Sequence, residues 1–183
     1  MNFLSTFESV IKEFQKQNID FAVIGGLALQ QFGVMRSTND IDFLVLISDK
    51  DKVKKLMDNL NYELKHESVD VLNFFNKHSS FDRIDFLIAH RKYSLAMLER
   101  AVIKEVIGGK FSVKFLKAED QIGLKVQSSK NDSARYHQDM ADIKALINAN
   151  YNKLDMALVK EYFSLFNREL ELENLTQEIE NVK

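Results

Sequence analysis

The sequence predicts an α/β fold in which a β-sheet flanked by helices is followed by a helical C-terminal part. Up to residue 117, short apolar runs rich in β-branched and aromatic residues alternate with amphipathic helical segments. From Ala118 onward, every periodic segment is helical. We therefore expect an α/β core over residues 1–117 and a helical subdomain over residues 118–183 that packs on the core.

The N-terminal elements alternate between helix and strand. Residues 3–14 repeat apolar side chains at three- and four-residue steps, which is typical of an amphipathic helix. The run DFAVIG at 20–25 predicts a short buried strand that leads directly into a helical segment beginning with two glycines. The run DIDFLVLI at 40–47 is apolar on both faces after its first residues, as in a central strand that is covered on both sides.

The middle of the chain predicts a helix and then a group of strands. Apolar side chains repeat at helical spacing over residues 48–61, opposite a lysine-rich face. Residues 62–89 contain three strand-like runs separated by polar breaks, which predicts an antiparallel meander. Residues 92–101 predict a helix. The segment 102–116 predicts a hairpin that turns at its glycine pair, because two-residue turns favour such pairs.

Composition excludes several kinds of site. The 183 residues contain no cysteine, and the four histidines share no ligand spacing, so any metal must be held by oxygen. The formal net charge of -2 gives no overall attraction for nucleic acid. The N-terminus lacks the features of a signal peptide, and no stretch approaches the ~20 apolar residues that a membrane span needs. We expect a cytoplasmic protein that does not bind a membrane.

Two aspartates stand at the start of the predicted central strand. Asp40 and Asp42 are two residues apart, so their side chains point to the same face. The tetrapeptide IDFL at 41–44 returns at 84–87, and its Asp85 would lie beside Asp42 on a neighbouring strand. Three converging carboxylates repel one another unless they are neutralised, and hard oxygen ligands of this kind suit Mg²⁺. The pattern indicates a divalent-metal site, and the alternative is that each acid faces water at a strand end.

Gly25 and Gly26 stand between a predicted strand and a predicted helix. Backbone N–H groups at such a place can face a phosphate without a Cβ in the way, at the positive end of a helix. A lone glycine pair is weak evidence for a phosphate site. Together with the nearby aspartates, the glycine pair favours a phosphate site.

These motifs together resemble the polymerase-β-like nucleotidyltransferase superfamily. The resemblance rests on a strand, a glycine pair, a short helix and a later strand acid, and on the pattern Arg36-x-Thr38-x-Asp40-x-Asp42. Within the superfamily, the chain is most similar to AbiEii-type and related minimal nucleotidyltransferases of bacterial toxin–antitoxin systems. The motifs cover residues 21–46 and 81–88. A looser similarity extends over the helical segment 118–143.

The resemblance implies transfer of an NMP from an NTP to a hydroxyl, with release of pyrophosphate, on a mixed sheet flanked by helices. Asp40 and Asp42 would coordinate two Mg²⁺ ions, with Mn²⁺ as an alternative metal. Asp85 would bind the metal on the attacking side and help to deprotonate the acceptor hydroxyl. Two such metals stabilise both the entering and the leaving oxygens of an in-line displacement.

The resemblance also implies contacts to the nucleotide. Gly25 and Gly26 would lie against the triphosphate, and Thr38 or Arg36 would steady it. Many superfamily members have Gly-Ser in place of this Gly-Gly pair, so a hydroxyl that usually touches the phosphates is missing here. The AbiEii-like branch tolerates Gly-Gly. The structural alternative for Arg36 is a surface ion pair with a nearby acid.

Lys125 and Asp139 lie in the helical segment that the similarity covers loosely. Lys125 stands beside an apolar stripe and could reach a phosphate as a point charge, or it could be a solvated lysine that lies along its helix. Asp139 would be a partner for Lys125 or a contact to the nucleotide. Its four-residue spacing from Arg135 also allows an ion pair within one helix.

The acceptor and the partners follow only from the resemblance. The toxin–antitoxin branch suggests a tRNA end or a protein hydroxyl as acceptor and a cognate antitoxin or toxin as partner, whereas related small enzymes modify aminoglycoside or lincosamide antibiotics. A second hypothesis is a catalytically silent protein of this fold that acts as a binding or regulatory partner. The C-terminal apolar stripe could pack on the body of the protein or pair two copies as a homodimer; it comprises Leu172, Leu175, Ile179 and Val182.

Overall fold

The computed structural model describes residues 3–181, except for the side chains of residues 79–82. The chain forms two compact units. The first comprises Met1–Ala28 and Ser37–Leu116, and the second comprises Leu29–Arg36 and Lys117–Lys183. None of the described helices is long and apolar enough to cross a membrane.

A seven-stranded mixed sheet forms the centre of the first unit. Its strands are β1 (Phe21–Ile24), β2 (Asp40–Leu46), β3 (Tyr62–Glu67), β4 (Val71–Asn76), β5 (Ser79–Ala89), β6 (Val102–Val106) and β7 (Phe111–Phe115). They lie in the order β3-β4-β5-β2-β1-β7-β6. The pairs β2–β5 and β1–β7 are parallel, and the other neighbours are antiparallel. The predicted α/β fold class is confirmed, and the meander predicted over residues 62–89 corresponds to β3, β4 and β5.

The helices divide between the two units. The first unit contains α1 (Phe3–Lys16), α3 (Lys50–Asn59) and α4 (Lys92–Glu99), and α2 (Gly25–Gln31) crosses the boundary along the chain. The second unit contains α5 (Ala118–Asn131), α6 (Tyr136–Asn150), α7 (Met156–Ser164) and α8 (Glu169–Glu180). The described part of the chain after residue 117 therefore contains helices and no strand, as its periodicity predicts.

Phenylalanine rings fill the core of the first unit. Phe43 and Phe86 are paired in register on β2 and β5, and their rings stack with centroids 5.6 Å apart. Phe14 on the buried face of α1 meets Phe43 edge-on, with centroids 5.3 Å apart. Both arrangements stabilise a core beyond the apolar area that they bury. The amphipathic helix predicted at the N-terminus thus covers the sheet with the predicted face.

The hairpin predicted over residues 102–116 is present. β6 and β7 pair in antiparallel fashion. Between them, Gly108 has φ 64° and Gly109 has φ 82°. Both values lie in the left-handed region, which glycine adopts at little steric cost because it has no Cβ.

A buried arginine joins three helices of the second unit. Arg168 is 7% exposed, and its guanidinium donates to the carbonyl of Val126 at 3.1 Å and to the hydroxyl of Ser129 at 2.6 Å, both on α5. It also lies over the ring of Tyr136 on α6, at 5.3 Å from the centroid. Glu171 on α8 accepts two hydrogen bonds from it, at 2.8 and 2.6 Å. These contacts compensate the burial of the charge.

The C-terminal apolar stripe is used within the second unit. Leu172 and Ile179 are buried in its core, and Leu175 packs against that core. Val182 lies outside the described residues. Of the two roles suggested for this stripe, packing within the chain is the one that these contacts support.

Candidate active site

The acids of β2 and β5 meet on one face of the sheet. The parallel register of the two strands sets Asp40 opposite Arg83 and Asp42 opposite Asp85. One carboxylate oxygen from each of the three aspartates lies within 4.8 Å of the corresponding oxygens of the other two. All three side chains are partly buried. Asp85 is thus directly beside Asp42, where the sequence placed it.

Arg83 supplies positive charge to this acid cluster. Its Nη2 lies 2.7 Å from an oxygen of Asp40 and 2.9 Å from an oxygen of Asp85. Its Nε is buried and has no hydrogen-bond partner among the described residues. The side chain as a whole is 40% exposed. Because three adjacent carboxylates repel one another, this guanidinium stabilises the cluster as it stands.

Thr38 orients the first acid. Its hydroxyl donates to Oδ1 of Asp40 at 2.5 Å and lies 3.2 Å from the backbone carbonyl of the same residue. Burial opposes ionisation of Asp40, but the hydrogen bond from Thr38 and the charge of Arg83 outweigh it and hold the pKa of the Asp40 carboxyl below its usual value. Asp40 is therefore ionised at neutral pH.

Asn73 on β4 orients the third acid. The pairing of β4 with β5 sets Asn73 opposite Asp85, and its side-chain amide donates to Oδ1 of Asp85 at 2.8 Å. The other oxygen, Oδ2, faces Arg83. Each oxygen of Asp85 therefore has a donor, which fixes the plane of the carboxylate.

The glycine pair at the start of α2 lies against Asp42 and Thr38. Gly25 has φ 63°, and a Cβ built on it would lie 2.1 Å from Oδ2 of Asp42. A Cβ on Gly26 would lie 2.5 Å from the Cβ of Thr38. Glycine is required at both positions because the backbone of α2 touches the side chains of the acid cluster and its support.

The donor set of the cluster fits a hard divalent cation. It offers three carboxylate oxygens and neither a nitrogen nor a sulfur ligand, and Mg²⁺ and Mn²⁺ are held by oxygen ligands of this kind. Within the described part of the chain, this is the one group of three or more histidine, aspartate or glutamate side chains with metal-ligand spacing.

The predicted candidates of the second unit form an ion network. Lys125 is 6% exposed, and its Nζ lies 2.5 Å from an oxygen of Asp142 and 3.1 Å from an oxygen of Asp139. Arg36 contacts the same Asp142 oxygen at 2.5 Å, and Arg135 approaches Asp139 at 3.5 Å. Lys125 is therefore a buried, paired lysine and not a solvated one. Arg36 forms an ion pair with Asp142. An ion pair with a nearby acid was the structural alternative to a contact with the nucleotide.

A comparison with known families agrees with the geometry of the acid cluster. A family model described as "Uncharacterised nucleotidyltransferase" matches residues 1–177. The chain belongs to this nucleotidyltransferase family. The predicted membership of a nucleotidyltransferase superfamily is thereby confirmed, and the protein is an enzyme of the nucleotidyltransferase class. The similarity to the AbiEii type stays a prediction.

Solved nucleotidyltransferases share the fold. The antibiotic-resistance factor ANT(2″)-Ia is 14% identical with a TM-score of 0.66, over 95% of this chain and 96% of that one. The lincosamide antibiotic adenylyltransferase LnuA is 13% identical with a TM-score of 0.55, over 80% and 96%. An antigenic nucleotidyltransferase-like protein from Paracoccidioides brasiliensis is 17% identical with a TM-score of 0.55, over 95% and 92%. At these identities the similarity establishes the fold. No curated protein matches the chain significantly.

Two residues that contact the acid cluster of this nucleotidyltransferase were not predicted from the sequence. Arg83 precedes Asp85 by two residues on one strand, so a cation on the same face as the acid was visible in the sequence. No local feature of the sequence indicated that Asn73 would contact the acid cluster. Its place opposite Asp85 depends on the register of β4 and β5, which shifts between Phe75 and Asn76.

Proposed function

We propose that this nucleotidyltransferase binds two Mg²⁺ ions through Asp40, Asp42 and Asp85 and transfers an NMP from an NTP to a hydroxyl acceptor. The observation that carries the proposal is the convergence of three carboxylate oxygens within 4.8 Å of one another on a nucleotidyltransferase chain. Mn²⁺ suits the same ligands.

When bound, two divalent cations stabilise the entering and leaving oxygens of an in-line displacement. The acceptor's hydroxyl oxygen forms a bond to the α-phosphorus of the NTP. The bond from that phosphorus to the oxygen bridging to the β-phosphate breaks, and pyrophosphate leaves with the electron pair. Asp85 takes the hydroxyl proton, while Asn73 holds its carboxylate plane through the hydrogen bond to Oδ1.

The triphosphate is proposed to lie along the backbone of Gly25 and Gly26. That backbone touches Asp42 and Thr38, so a phosphate beside it would also be near the metal ligands. The absence of Cβ atoms leaves room for such an approach. Thr38 is proposed to act through Asp40, whose carboxylate its hydroxyl orients.

Arg36, Lys125 and Asp139 are proposed to assist nucleotide binding electrostatically. Their network joins three cations, Arg36, Lys125 and Arg135, to two carboxylates, Asp139 and Asp142, and so carries one net positive charge. A local surplus of positive charge attracts an anionic ligand. Asp139 contributes by holding Lys125 in place.

For the acceptor, we propose a tRNA end or a protein hydroxyl, on the strength of the motif resemblance to AbiEii-type enzymes of toxin–antitoxin systems. A cognate antitoxin or toxin would then be the partner. An antibiotic hydroxyl is the second candidate, and the fold shared with ANT(2″)-Ia and LnuA over at least 80% of this chain supports it.

The experiment that tests the proposal is label transfer from each α-³²P-labelled NTP with Mg²⁺. Total cellular RNA, total cellular protein, an aminoglycoside and a lincosamide serve as separate acceptors. The Asp40→Ala/Asp42→Ala variant removes two proposed ligands. The matched control is Asp51→Ala/Asp58→Ala, which removes two exposed aspartates of α3.

Transfer by wild type and by the α3 control, but not by the variant of the proposed ligands, is the expected result. The labelled acceptor then decides between RNA, protein and antibiotic. Mg²⁺-dependent nucleotide binding without transfer to any of these acceptors would contradict the proposed acceptors. It would favour either a different small-molecule acceptor or the catalytically silent protein.

A further inference from the structure

Arg83 contacts two of the three carboxylates that a divalent cation would need. Its Nη2 bridges Asp40 at 2.7 Å and Asp85 at 2.9 Å, and both are proposed metal ligands. A guanidinium and a divalent cation at the same carboxylates repel each other strongly over so short a distance. The two cations therefore compete for one pair of acids.

The hydrogen bonding of Arg83 in this position is incomplete. Its Nε is buried and has no hydrogen-bond partner among the described residues. A buried N–H without a partner is unfavourable, so the guanidinium is held mainly by the charge of the acids. Because the side chain is 40% exposed, solvent lies within reach of a guanidinium that leaves them.

We propose that Arg83 is an internal counter-ion that neutralises the acid cluster before metal binds and withdraws from it when a divalent cation binds. The inference rests on the proposed metal-binding role of Asp40, Asp42 and Asp85. Arg83 is a positioning residue here, since it keeps Asp40 and Asp85 close together in spite of their repulsion.

The proposal couples metal binding to nucleotide binding. A divalent cation that binds without nucleotide must break the two ion pairs of Arg83. This cost weakens the affinity of the site for the cation. A triphosphate offers the released guanidinium a new anionic partner, and Arg is well suited to bind phosphate oxygens in a bidentate manner. Nucleotide therefore strengthens metal binding, and by linkage metal strengthens nucleotide binding to the same extent.

The experiment is a titration with Mn²⁺ alone, in which electron paramagnetic resonance measures the free ion. Arg83→Gln is expected to bind Mn²⁺ about tenfold more tightly than wild type, because two partly exposed ion pairs no longer have to be broken. Asp42→Asn tests the metal site itself. Arg91→Gln is the matched control, since this arginine is 62% exposed and pairs with Asp70; its Mn²⁺ affinity should equal that of wild type.

The outcomes separate this inference from the proposed function. If wild type binds Mn²⁺, Asp42→Asn does not, and Arg83→Gln binds no more tightly than wild type, the counter-ion role is overturned and the metal site stands. If Asp42→Asn binds Mn²⁺ as wild type does, or if no protein binds it, the metal site fails and the counter-ion role fails with it.

Melting temperatures and a second variant distinguish competition from a merely structural role. Without metal, Arg83→Gln should melt below wild type, and Mn²⁺ should raise its melting temperature more than that of wild type. Arg83→Lys retains the positive charge that competes with the cation, so its Mn²⁺ affinity should stay near that of wild type. Mn²⁺ binding by Arg83→Lys as tight as that expected of Arg83→Gln would contradict competition between charges.

Discussion

The carboxylate of Asp42 leaves no space for a side chain at position 25, and Gly25→Ala tests how far the acid cluster depends on that space. The new Cβ would lie 2.1 Å from Oδ2 and 2.7 Å from Cγ of Asp42, whereas ordinary contacts begin at 3.4 Å. Asp42 must therefore turn aside, and its carboxylate would leave the positions that now bring it within 4.8 Å of Asp40 and Asp85.

The backbone strain of this substitution can be measured separately at Gly108. Gly25 has φ 63° and Gly108 has φ 64°, but a Cβ on Gly108 would meet no described atom within 4 Å. An alanine at either position carries about 1 kcal/mol of left-handed strain. For a chain of this length, that strain lowers the melting temperature by about 2–4 °C. Only Gly25→Ala adds the displacement of Asp42.

The assay compares the two alanine variants by thermal melting and by Mn²⁺ titration. Gly108→Ala is expected to lose only the few degrees due to strain and to keep the Mn²⁺ affinity of wild type. Gly25→Ala is expected to melt at a lower temperature still and to bind Mn²⁺ about tenfold to a hundredfold more weakly, the usual loss when the support of a metal ligand is disturbed. Identical melting temperatures and affinities would refute the reasoning, since the collision with Asp42 would then have no consequence.

Three further predictions concern the metal, the buried network and the third acid. Mg²⁺ at 100 times its Kd should stabilise wild type in thermal melts by about 2.7 kcal/mol for each ion that binds but leave Asp42→Asn unshifted, and equal shifts would remove the metal-site assignment. Lys125→Met leaves buried carboxylates with less compensation and should cost about 3 kcal/mol in urea unfolding. The exposed Lys130→Met on the same helix should stay within about 0.5 kcal/mol, and equal losses would count against the network. Asn73→Ala releases one oxygen of Asp85 and should lower kcat about tenfold at unchanged KM in steady-state kinetics, whereas an effect on KM alone would contradict a positioning role.

The proximity of the acids was predictable because strand geometry is local. Alternation along β2 places Asp40 and Asp42 on one face whatever the rest of the chain does. The repeated IDFL made a second strand with an acid visible at Asp85. The direct pairing of Asp42 with Asp85 also required β2 and β5 to be neighbours, which local patterns do not specify.

Asp139 was expected as a partner for Lys125 and lies 3.1 Å from it, but the burial of Lys125 and its contact with Asp142 were not predictable from local patterns. Its burial depends on Asp142, which also pairs with Arg36, a residue 106 positions away in the sequence. The spacing rule for helices found only the contact of Arg135 with Asp139, which at 3.5 Å is the longest of the network. Helix periodicity predicts contacts between residues of one helix. A buried charge is compensated by residues that can be distant in the sequence and that only the tertiary fold places beside it.

The register of β2 and β5 links the folding of the first unit to the alignment of its acids. Asp42 opposes Asp85 and Phe43 opposes Phe86 in the same ladder, with the acids and the rings on opposite faces. A slip of one residue would exchange the two faces and bring charged groups into the aromatic core. Misregistered chains would therefore be unstable and not merely inactive. Molecules that have completed this aromatic core have therefore also brought the carboxylates together, because one register sets both faces of the ladder.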